Sequence, residues 1–137
     1  WLRYVAPEAA VAAVLAARSE EVDLIVAVGH LPTSDAVRIA ARVEGIDVFV
    51  TGHSHEETPH PIRAGKTLIV QSGAFAQRLG RLRLEVTEAG AEFVSNDLLS
   101  TENATAVRKA HDLSNRALAR LAAVAIAFLS TLFLVVL

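Results

Sequence analysis

The stretch DLIVAVGHLPTSDAVRIAARVEGIDVFVTGHSH, residues 23–55, decides how the fold is read. It opens with a continuous apolar run from Leu24 to Val28. An unbroken run, without polar alternation, predicts a strand covered on both faces, as in parallel sheets. A helix is predicted next over SDAVRIAARVEG, with Ser34 as N-cap and Gly45 as its stop. Ala36, Val37, Ile39, Ala40, Ala41 and Val43 would form its buried side. IDVFVTGH is then a second short buried strand. Each strand ends in Gly-His, first Gly29-His30 and then Gly52-His53.

The flanks extend this pattern. PEAAVAAVLAARSEE, residues 7–21, predicts a preceding helix. Pro7 suits its first turn and Glu8 the positive end of its dipole, while Val11, Val14, Leu15 and Arg18 keep helical spacing. The first half therefore reads α-β-α-β, an α/β chain. Beyond it, KTLIVQSG predicts another short strand, ended by Gln71 and by Gly73, whose role is backbone geometry. GRLRLEVTEAGAEFVS, residues 80–95, alternates and turns at Gly90. It predicts a hairpin with Leu82, Leu84 and Val86 on one face and Arg81, Arg83 and Glu85 on the other. From Ser100 onward the composition is helical.

Functional loops of open α/β sheets lie at the carboxyl ends of strands. Both Gly-His pairs fall there, and His55 follows His53 by two residues. Neutral imidazole is a good ligand for Zn, Mn, Fe or Ni ions. A lone histidine at a strand end is more often a hydrogen-bonded loop residue, but two Gly-His ends plus a His-x-His pair mark a candidate metal site. Three imidazoles alone would suit a mononuclear zinc. Asp35 reads as a helix opener, Glu56 and Glu57 as solvated, and His60, between two prolines, as an extended loop residue.

Composition narrows the classes. The chain of 137 residues suits one domain. It opens at Trp1 rather than Met, which reads as a piece of a longer protein. A net charge of −2 gives no nucleic-acid footprint. The absence of Cys excludes disulfides and thiolate metal sites.

From about Asp23 to Val86 the chain resembles the carboxyl half of a calcineurin-like metallophosphoesterase catalytic domain, of the 5′-nucleotidase type. The resemblance rests on VGHLP, GIDVFVTGHSH and TLIVQSGAFAQRLGRLRL, in that order. It implies a partial β-sandwich flanked by helices, of four-layer αββα type. It also implies hydrolysis of phosphate esters, often of nucleotides, at two divalent ions of the Mn, Zn, Fe, Co or Mg class. His30 and His53 would bind one ion and His55 the other. The family's first-half motifs, Asp-x-His, Gly-Asp and Gly-Asn-His, do not occur in this chain. The catalytic groups are therefore expected upstream of Trp1, and the chain alone is expected to be inactive. Phe75 is the nearest candidate for a substrate-stacking aromatic, although a packing role is the more ordinary expectation for it.

Residues 1–99 are accordingly expected to be the second half of a catalytic domain, 100–120 a polar connecting helix, and 121–137 a transmembrane helix. Leu121 to Leu137 carries no charge. At ~1.5 Å per residue such a helix reaches about 25 Å, close to a ~30 Å hydrocarbon core. Arg108, Lys109, Arg116 and Arg120 before the span favour a cytoplasmic domain, whereas the resemblance favours the periplasm or cell exterior. The rival functions are a cyclic-nucleotide phosphodiesterase on the same fold, a mononuclear three-histidine module, and a non-catalytic membrane-tethered binding domain.

Overall fold

The computed structural model describes residues 5–18, 22–87, 90–102 and 133–136. The elements run α1 (Pro7–Arg18), β1 (Val26–Gly29), α2 (Thr33–Ala40), β2 (Val48–Thr51), β3 (Ile62–Ala64), β4 (Thr67–Val70), β5 (Arg78–Thr87), β6 (Gly90–Ser100) and β7 (Phe133–Val136).

The α-β-α-β reading of the first half holds. β1, β2 and β4 are parallel and β3 runs antiparallel to β4, in the order β1-β2-β4-β3. α2 is the crossover between β1 and β2 and opens at Thr33, with Pro32 as N-cap. Ser34 is therefore inside the first turn rather than its cap. Proline suits that boundary because its fixed φ is compatible with extended backbone and no N–H is lost from the helix ladder. Gly45 lies past the helix end at φ +92°, a conformation that favours glycine.

The apolar positions of α2 find the core with one exception. Ala36, Ile39, Ala40 and Val43 are buried and Val37 partly so, but Ala41 is exposed. They pack with Ile46, Phe49, Ala64 and Ile69, and Val11 and Leu15 of α1 lie against the cluster. Val14 of α1 instead faces solvent. Glu8 of α1 pairs with Arg38 and Arg42 near α2.

The opposite face of this sheet meets a second one, ordered β6-β5-β7. Val48, Val50, Leu68 and Val70 pack there against Leu82 and Leu84 of β5. Val86, expected on the same face, is exposed near the far end of the strand. β5 and β6 form the predicted hairpin, with a register irregularity between Arg83 and Leu84. The described layers are thus helices, sheet and sheet, a three-layer part of the expected αββα sandwich.

Three further expectations are corrected. β1 is not covered on both faces. Val26 and Val28 are exposed because β1 is an edge strand and only Leu24 beside it packs with the inter-sheet cluster. β3 was not foreseen; it forms a hairpin with β4 through Gly65 at φ +61°. The apolar helix expected over 121–137 is not shown. Phe133–Val136 is a strand pairing in parallel with β5, as a Phe-Leu-Val-Val run with two β-branched residues permits. The connecting helix expected over 100–120 does not begin there, since Ser100 ends β6 and residues 101–102 form a turn; residues 103–132, with the basic flank, lie outside the described residues. Among the described residues no helix is long and apolar enough to cross a membrane.

Candidate metal centre

The strand register brings the first two histidines together. Gly29 of β1 lies opposite Thr51 of β2, so His30 and His53 leave adjacent parallel strands at the same level. His53 Nδ1 and His30 Nε2 are 3.3 Å apart, with the rings edge-on at 86°. Both residues are exposed. His55 takes a different environment: its ring meets that of Phe75, centroids 5.3 Å apart. Among the described residues no group of three or more His, Cys, Asp or Glu stands ready to hold a metal ion. The structure therefore unites two of the three predicted ligands.

The backbone around them is strained. Among the described residues, four non-glycine residues have positive φ: His53 at 70°, His55 at 59°, Phe75 at 56° and Ala76 at 54°. The left-handed region costs an L-residue roughly 1–2 kcal/mol. All four sit in the two loops at the carboxyl ends of β2 and β4. Strain of this kind persists only where the surroundings over-determine it, and it clusters at functional sites. Phe75, expected as packing, is instead 81% exposed and makes its ring contact with His55.

A buried amide fastens these loops. Gln71, which follows β4, is fully buried. Its Nε2 lies 2.8 Å from Thr33 Oγ1, 3.0 Å from Thr51 Oγ1 and 2.9 Å from Ser54 Oγ. Its Oε1 accepts the Glu56 N–H at 2.9 Å. Thr58 Oγ1 closes a further pair of contacts with the Gln71 backbone, and Asn96 Nδ2 of β6 donates to Thr58 O. Sequence reading placed Gln71 near the site but missed this role, and missed Thr33, Thr51 and Ser54. The signal was present: a glutamine ending the apolar run Leu68–Val70 can stay buried only with its polar atoms partnered.

Other residues fall as expected. Asp35 sits in the first turn of α2 and pairs with Arg38, and Glu57 is exposed beside Arg78. His60 is exposed in the loop before β3. His111, read from its polar sequence RKAHDL as a solvated helix residue, lies outside the described residues. Gly73 serves geometry, at φ +81° and with room for a Cβ only 3.1 Å from Glu57 Cγ. Gly73→Ala should lower stability by about 1–2 kcal/mol, since strain and crowding add at one position. Urea unfolding of the two proteins measures this, and an unchanged midpoint would contradict the conformation.

No protein-family model matches the chain, and no curated protein does. Among solved structures it is similar to the sulfate thiohydrolase SoxB of Thermus thermophilus, in complex with glycerol, at 30% identity and a TM-score of 0.64. The match covers 78% of this chain and 21% of that one. The α/β core is thus shared with part of a hydrolase, and the likeness supports the superfamily resemblance that VGHLP, GIDVFVTGHSH and TLIVQSGAFAQRLGRLRL carry.

Proposed function

We propose that the chain supplies the histidine side of a metal-dependent phosphoester hydrolase site, of the 5′-nucleotidase-like metallophosphoesterase kind. The 3.3 Å approach of His53 Nδ1 to His30 Nε2 carries this reading. Two nitrogens bound to one tetrahedral zinc at ~2.0–2.1 Å lie roughly 3.3–3.4 Å apart. The separation of the pair therefore matches that of two ligands on a single ion, and without an ion the two rings share a hydrogen bond. The described donor set does not fit two, because a dinuclear centre needs anionic ligands to offset its charge and no such cluster is present. Those ligands belong, on this proposal, to parts of the fold outside this chain, in keeping with its match to 21% of SoxB.

His30 and His53 hold one ion between the β1 and β2 ends, and His55 contributes to a second. The ions, once bound, supply Lewis acidity and a nucleophile at neutral pH. The protein's own part is to fix the imidazoles through strand register and the Gln71 contacts. The substrate proposed is a phosphate ester, with nucleotides the leading class from the sequence resemblance. The location proposed is the periplasm or cell exterior, which the same resemblance favours.

Elemental analysis of this chain, and of the protein extended upstream of Trp1, tests the proposal. About two ions per extended protein, with one or fewer in the chain and no phosphatase turnover by it, is the expected result. One tightly held ion in the chain, lost in His55→Ala, would instead make it a mononuclear three-histidine module.

A further inference from the structure

We infer that Gln71 is a positioning residue for the histidine centre, holding the loops that carry His30, His53 and His55 in one arrangement. The inference rests on the reading of those histidines as the site. Each partner of the amide lies close in sequence to a histidine. Thr33 follows His30 at the start of α2, Thr51 precedes His53 at the end of β2, Ser54 lies between His53 and His55, and Glu56 follows His55. One side chain thus reaches both histidine-bearing loops from a third strand.

The orientation of the amide is set by its surroundings. The Glu56 N–H can only donate, so the atom facing it is Oε1 and the atom facing the hydroxyls is Nε2. Nε2 carries two hydrogens and has three hydroxyl oxygens within 3.0 Å. One hydrogen is therefore shared, and Thr33 and Ser54, whose oxygens are 3.4 Å apart, form part of the same network. An apolar side chain would fill the space but leave the Glu56 N–H without this acceptor. It would also free the His53–His55 loop, whose two histidines have positive φ, from its main side-chain anchor. Outer partners of metal ligands act in this way, by fixing ring orientation.

The test compares the full chain with Gln71→Met, which keeps length and volume but loses the amide. Thr67→Val is the control for a generally weakened strand. Thr67 is buried on β4, and its Oγ1 donates to Ile46 O at 2.7 Å, at the opposite end of the strand from the histidines. Two readouts are taken: Zn²⁺ affinity, and the nuclear Overhauser contact between the His30 and His53 rings. Gln71→Met should weaken Zn²⁺ binding about 10–100-fold and abolish the ring contact, while Thr67→Val leaves both unchanged. Ring contact retained in Gln71→Met overturns the inference, as does an equal loss in Thr67→Val. If the unaltered chain binds no Zn²⁺, affinity is read on the protein extended upstream of Trp1, where no binding would sink the metal reading by itself, and the ring contact alone then decides the role of Gln71. Should Gln71→Met not fold, Ser54→Ala removes a single partner. A smaller shift in the same direction supports the inference and no shift overturns it.

Discussion

In the protein extended upstream of Trp1, His53→Gly should abolish tight binding of the ion proposed to be shared with His30, while leaving the protein as stable as before, or more so. The two effects have separate causes at one residue. The imidazole is half of the 3.3 Å pair with His30, so on the proposed metal reading its removal deletes a direct ligand. Changes one shell further out already cost about 10–100-fold in affinity, and the loss of a ligand should be no smaller. The backbone of His53, at φ +70°, is strained for any L-residue. Glycine relieves roughly 1–2 kcal/mol of that strain, and its greater freedom in the unfolded chain returns about 0.4–1 kcal/mol. The net change lies between zero and about +1.6 kcal/mol of stability. Calorimetric Zn²⁺ titration and urea unfolding measure the two sides independently. His60→Gly, in the exposed loop before β3, should leave ion binding unchanged. A clear fall in stability with retained binding in His53→Gly would show that the residue serves the fold and not an ion.

Ile69→Ala should be among the most destabilising single changes, at about 3–4 kcal/mol. Ile69 is fully buried on β4, an interior strand flanked by β2 and β3. It faces the cluster formed by Ala36, Ile39, Ala40 and Val43, where helix and sheet meet. Its register partners are Phe49 on β2 and Ile62 on β3, so the lost methyl groups leave a space that two strands and a helix would have to close together. Buried backbone of this kind relaxes only in part, which is why a cavity term adds to the transfer term. Val14→Ala in α1 provides the contrast: Val14 is 62% exposed, and the change should stay within about 0.5 kcal/mol. Equal costs for the two substitutions would place the core elsewhere.

The sequence carried the local periods well and the coverage of faces poorly. Continuous apolar runs located β1, β2 and β4, and alternation located the β5–β6 hairpin, because these signals depend on neighbouring residues alone. The same run of valines misled at β1: it marks a strand, but not whether a second sheet reaches it, and Val26 and Val28 are exposed. Phe133–Val136 failed for a related reason. A short apolar run fits a helix or a strand equally, and here its pairing with β5 decides. At the site, His30 and His53 were legible because strand ends are readable and Gly-His recurs at both. The hydroxyl partners of Gln71 were not, since Thr and Ser near a turn look like ordinary loop residues until strands remote in sequence converge on one amide. The positive φ of His53, His55, Phe75 and Ala76 was equally hidden, because none of them is glycine.

The pairing of Gly29 with Thr51 has an evolutionary consequence. The spacing of His30 and His53 is set by hydrogen bonding between β1 and β2 and not by the chain that joins them. The crossover through α2 can therefore lengthen, shorten or exchange sequence while the two imidazoles keep their separation, provided that Thr33 stays within reach of Gln71. The loops themselves can change as long as the ladder beneath them does not slip by a residue. Such a slip would turn every side chain of a strand to the opposite face and separate the histidines in a single step.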